Sequence, residues 1–116
     1  MTLVDTSVWI DHFRRADDDF GRLLEDGMVL VHPFVVGELA CGTLKRRREI
    51  LDHLRHLPVA PVATDAEVHH LLDHHGLAGR GLGWIDLHLL ASARLGAVAL
   101  LTRDRALEAA TRHVLA

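Results

Sequence analysis

The sequence predicts an α/β domain organised around a parallel sheet, and three features predict it. Short apolar runs alternate with longer segments whose apolar residues recur at helical spacing. Parallel neighbours need such crossover segments, which place helices over both faces of the sheet. Glycines and prolines fall mainly between these segments, and 116 residues suffice for one core but not two. Residues 1–116 therefore form a single expected domain.

Thr2-Leu3-Val4 is the first expected strand, ending at Asp5, after which Thr6 or Ser7 can cap a helix from Val8 to about Arg15. Asp17 to Asp19 open a second helix, Phe20, Leu23 and Leu24 give it an apolar face, and Gly27 stops it before a strand over Met28 to Val31. Pro33 suits the first turn of a helix through about Cys41, with Gly42-Thr43 as a break. The next helix covers about Leu44 to Leu57, with Leu44, Ile50, Leu51, Leu54 and Leu57 on one face and Pro58 at its end. Val59 to Val62 is a short strand that Pro61 assigns to a sheet edge. Thr64-Asp65-Ala66-Glu67 has capping-box spacing and starts a helix that runs to Gly76. After the loop Gly79-Arg80-Gly81-Leu82-Gly83 comes a helix from about Trp84 to Leu95, closed by Gly96. Ala97 to Thr102 is the most apolar strand, and Arg105 to His113 the last helix.

At 49% hydrophobic and 25% charged, the composition is that of a globular protein and excludes a disordered or fibrous chain. No apolar run reaches the ~20 residues that span a bilayer, and the N-terminus lacks a signal-peptide pattern, so a cytoplasmic protein without membrane association is expected. Cys41 is the single cysteine, which rules out an intramolecular disulfide and reads as a packing residue. A net charge of -3 argues against a polyanion ligand. Ten histidines and a metal-offset acidic site soften that argument, and the cations are twelve arginines against one lysine, Lys45, a bias that suits phosphate.

Ligands of an open parallel sheet bind beyond the carboxyl ends of its strands. Asp5 and Asp104 stand there; Glu38 lies on the helix after the second strand, and Asp86 in the first turn of the helix before the last. Asp5, Glu38 and Asp86 have apolar neighbours, Leu3-Val4, Val35-Val36 and Trp84-Ile85 with Leu87, which is unusual for solvating charges. Four converging carboxylates repel unless a cation lies among them, and hard oxygen ligands suit Mg2+ or Mn2+. Such a site serves phosphodiester hydrolysis, with Ser7 and Thr102 as hydroxyls that orient the carboxylates. Taken singly, Asp5 reads equally as a turn residue, Asp86 as a charge near a helix N-terminus and Asp104 as an N-cap.

Val4-Asp5-Thr6-Ser7-Val8-Trp9-Ile10, Val36-Gly37-Glu38-Leu39, Ile85-Asp86-Leu87 with Ala91, and Leu101-Thr102-Arg103-Asp104 carry a resemblance to the PIN-domain family, and within it to the VapC-type toxins of toxin–antitoxin pairs. The resemblance spans nearly the whole chain. It implies a three-layer α/β/α sandwich and an Mg2+- or Mn2+-dependent endoribonuclease in which Asp5, Asp86, Glu38 and Asp104 are the catalytic and metal-binding acids. It makes Asp104 the fourth acidic position, which is often replaced by other residues in the family. The resemblance also implies a VapB-type antitoxin whose tail occupies the catalytic groove, and a homodimer.

Arg80 and Arg103 flank the acids and are the expected RNA contacts; Lys45 to Arg48 is either an electrostatic track or a solvated helix face. Gly79 to Gly83 lacks the lysine and preceding strand of a phosphate-binding loop. His69 with Asp73, and His70 with His74, have zinc-compatible spacing but no further ligands to complete a tetrahedron, so a polar helix face is expected, with His75 on the apolar stripe. Ile10 is assigned to the core, while Trp9 and Phe13 stay open between core and an antitoxin groove. Two rivals remain: a phosphoacceptor receiver-like domain, which needs an acidic pair after the first strand and a lysine after the last, and a catalytically silent PIN-like binding module.

Overall fold

A computed structural model describes residues 1–115. Its elements are β1 (Thr2–Val4), α1 (Thr6–Arg14), α2 (Asp18–Glu25), β2 (Val29–Leu30), α3 (Pro33–Cys41), α4 (Arg47–Arg55), α5 (Asp65–His74), α6 (Trp84–Gly96), β3 (Ala99–Leu101) and α7 (Arg105–Val114). The three strands form a parallel sheet in the order β2-β1-β3, with Leu3 beside both Leu30 and Leu100. Helices cover both faces in an α/β/α sandwich. The central strand is fully buried at Leu3 and Val4, and Val8, Trp9, Val35, Leu89, Leu90 and Leu107 close the core around it.

The expected strand at Val59 to Val62 contracts to one parallel bridge between Val31 and Val59. Ala60 N–H still donates to Val31 O, but Pro61 has no N–H to continue the ladder, and Val59 and Val62 stay exposed on this edge. The helix expected from Leu44 starts only at Arg47. Arg46 holds a left-handed φ of 53°, and Arg47 turns back to donate to Ala40 O at the end of α3.

Gly96 does not close α6 as expected. The helix includes it and turns at Ala97, whose φ is 50°, so the last strand begins at Ala99 rather than Ala97. A Cβ on Gly96 would stand 3.2 Å from Pro61 Cδ, so this glycine serves close packing rather than the turn. Gly79 and Gly81, with φ of 75° and 78°, do need their conformational freedom.

Candidate active site

Because β3 lies directly beside β1, their ends bring Asp5 and the Thr102–Asp104 segment together, tied by Asp5 N–H donating to Leu101 O at 2.9 Å. Asp5 itself, and not Thr6 or Ser7, caps α1: its Oδ1 accepts from Thr6 N at 2.8 Å. Its Oδ2 accepts from Ser7 Oγ at 2.8 Å and Thr102 Oγ1 at 2.7 Å. Each hydroxyl is oriented in turn, Ser7 by Arg103 N at 3.0 Å and Thr102 by Asp104 N at 3.0 Å. The carboxylate, only 8% exposed, is thus fixed by three donors, two of them held by backbone on the neighbouring strand end.

The other acids surround this fixed point. Thr6 Oγ1 donates to Glu38 Oε1 at 2.9 Å, which links α3 to the start of α1. Asp86 Oδ2 accepts from Gly83 N at 2.9 Å, closing the first turn of α6. Burial pushes the Asp86 carboxyl above the usual carboxylate range; the Gly83 N–H opposes this, and the charges of Asp5 and Asp104 push further upward. Asp104 caps α7 through Leu107 N at 2.9 Å while also acting on Asp86, so its capping role and its place in the pocket coexist.

Among the described residues, no three acidic, histidine or cysteine side chains close into a tight ligand cluster. One oxygen of Asp86 and one of Asp104 is engaged by backbone, Asp86 by Gly83 N and Asp104 by Leu107 N. Nor does Arg103 supply the countercharge: its guanidinium, expected to face the substrate, turns to Asp17 at 2.7 Å and Asp11 at 3.6 Å. The Asp17 carboxyl is held below its ordinary value by the Phe20 N–H first and by Arg103 as well, which makes it the stronger anchor for the guanidinium. Arg80 is exposed on the glycine loop before α6. An all-oxygen donor set with surplus negative charge fits a hard divalent cation.

A groove of about 760 Å³ leads away from Glu38 between α1, α3 and the start of α4. Ile10, Phe13, Leu39, Leu44 and Ile50 line it, with Arg14 and Lys45 at its rim. Ile10, assigned to the core from sequence, is half-buried here because α1 turns that face toward the groove. Of the two aromatics left open, Phe13 joins the groove, and Trp9 is core, edge-on to Phe20 at 4.8 Å. The basic run Lys45 to Arg48 does not act as one track, since Lys45 faces the groove and Arg47 binds Ala40 O.

On α5 the His70 and His74 rings stack at 5.5 Å without further ligands, as a polar face, and His75 is half-buried. Two other histidines, which carried no signal in the sequence, are buried. His32 caps α3 by accepting from Phe34 N at 3.0 Å, and its Nε2 has no partner. His88 lies near it, its Nε2 3.3 Å from Asp65 Oδ1 but outside hydrogen-bonding geometry. Burial, and to a lesser degree the neighbouring His88, hold His32 down to about 4.

The PIN domain family model matches residues 2–112. Ribonuclease VapC32 from Mycobacterium tuberculosis, in strains CDC 1551 and H37Rv, is 49% identical over 111 residues, covering 95% of this chain and 90% of the relative.

Proposed function

The chain belongs to the PIN-domain family, and on that footing we propose that it is a metal-dependent endoribonuclease, the toxin half of a toxin–antitoxin pair. The observation that carries this is the placement of Asp5 and Asp104 at the ends of adjacent strands β1 and β3, near enough to Asp86 for their charges to raise its pKa. Asp5 and Asp86 are the first ligands for Mg2+ or Mn2+, Glu38 completes the pocket, and Asp104 is the most dispensable. A bound divalent ion supplies a water of lowered pKa and neutralises charge on the scissile phosphate. The protein positions these components. Thr102 and Ser7 fix the Asp5 carboxylate, Thr6 restrains Glu38, and Gly83 restrains Asp86.

The groove beside Glu38 is the proposed seat of a VapB-type antitoxin tail: apolar side chains fill its floor, and acids on the tail meet Arg14 and Lys45. The VapC name of the relatives supports this pairing. A homodimer acting in the cytoplasm completes the proposal; among the described residues no helix is long and apolar enough to cross a membrane. A receiver-like role is disfavoured because Asp5 stands alone after β1 and Lys45 faces the groove, away from the last strand.

The test is cleavage of total RNA by the purified chain. Cutting is expected with Mg2+ or Mn2+, and none with chelator or in Asp5→Asn and Asp86→Asn. Equal cutting by the wild type and both variants would sink the assignment.

A further inference from the structure

Five aromatic residues are present, and the two exposed ones share one neighbourhood. Phe34 is 38% exposed and Trp84 39%, whereas Trp9 and Phe20 are buried and Phe13 is half-buried in the groove. Phe34 and Glu38 lie at i and i+4 on α3, one above the other on the same face. Trp84 opens α6, and Asp86 follows in the same turn. Phe34 therefore shares the face of Glu38, whereas Trp84, two residues from Asp86 and nearly opposite it around α6, shares its face with His88.

The two rings also belong to one surface. Phe34 packs on the His88 imidazole at 4.8 Å and Trp84 on the same imidazole at 5.0 Å, both edge-on, while His69 abuts the far side of Trp84 at 4.9 Å. His32 supports Phe34 from beneath at 5.0 Å. The rings that Phe34 and Trp84 touch are all imidazoles, which tie the two side chains into one patch. Arg80, exposed four residues before Trp84, adds a phosphate-binding cation on the approach.

We propose that Phe34 and Trp84 form a stacking platform for unpaired RNA bases flanking the scissile bond. The proposal rests on the nuclease assignment and adds to it the side chains that hold the strand; the rings stack only on bases whose faces are free, because a duplex hides those faces within its own stack. Every base has a π-face, so the platform holds the strand without reading its sequence.

The tryptophans provide the test, since Trp9 is buried and only Trp84 can meet a strand. Short oligoadenylate and an abasic strand of equal length are titrated against the Asp86→Asn chain in Mg2+, so that nothing is cut. Oligoadenylate is expected to quench the exposed tryptophan and the abasic strand is not. Phe34→Leu and Trp84→Leu, which keep an apolar cover over His88, each weaken oligoadenylate binding by about five- to a hundred-fold and leave abasic binding unchanged. Equal affinity for both strands without quenching would overturn the platform. So would leucine variants that dissociate a dimer in sedimentation while binding oligoadenylate as before, since the patch would then be a contact between copies. A wild-type chain that shows the quenching yet never cuts RNA would overturn the nuclease assignment and support the platform.

Discussion

Asp5 and His32 perform the same backbone task. Each follows a strand, caps the next helix with its side chain and is withdrawn from water, at 8% and 0% exposure. Their surroundings then diverge. Three donors converge on the Asp5 carboxylate, two of them hydroxyls that the adjacent strand end orients. His32 makes a single capping bond through Nδ1, and its buried Nε2 meets nothing. Asp5 sits at the open end of the sheet, where an anion has a use; His32 sits where it must remain uncharged. A polar residue at a strand end is thus structural or functional according to what surrounds its second nitrogen or oxygen.

The largest expected contrast follows from exchanging each for asparagine, which can still cap a helix. Asp5→Asn should lower RNA cleavage by about a thousand-fold or more, with a melting temperature near wild type. His32→Asn should leave most of the activity. Comparable loss in both would erase the distinction.

Acid should separate the two next. His32 has a folded pKa of about 4 against an ordinary 6.5, so the unfolded chain binds the proton more readily. Stability is full above pH about 6.5 and is lost as pH falls toward about 4, by about 3 kcal/mol. Denaturant midpoints across this range should show the fall in wild type and a flatter profile in His32→Asn.

Thr102→Val tests the hydroxyl support on the Asp5 side. It removes the donor to Asp5 and the acceptor for Asp104 N, and is expected to reduce cleavage by about ten- to a hundred-fold while the fold persists. An unchanged rate would show that Ser7 and the Thr6 N–H suffice.

The smallest effect has the opposite sign. Asp86 has its pKa raised by burial and by like charges, so its stability contribution is present below its unfolded pKa and is lost as pH rises through the folded value. At neutral pH without metal, Asp86→Asn should therefore melt a few degrees above wild type, a gain in stability at the expense of function. A lower melting point would mean that the Gly83 cap outweighs the repulsion.

The four acids were legible in the sequence because their positions follow short-range rules, strand ends and first helical turns, and because they lie in specific motifs. Ser7 and Thr102 followed from their nearness to Asp5 and Asp104 in the chain. The Thr6 hydroxyl was not legible, since its bond to Glu38 joins residues 32 positions apart. The orientation of Arg103 likewise depended on Asp17, the N-cap of α2, 86 positions away in the chain. The burial of His32 and His88 had no local signal, because histidine suits a surface and a core equally. Gly96 looked like a helix stop, and only its approach to Pro61 shows that this glycine serves packing while Ala97 makes the turn.

The most direct test of the metal site is Mn2+ titration followed by electron paramagnetic resonance on the wild type, Asp5→Asn, Asp86→Asn and Asp104→Asn. Binding should be lost with either of the first two and weakened with the third. Equal Mn2+ affinity in the wild type and in all three variants would contradict a metal site built on these carboxylates.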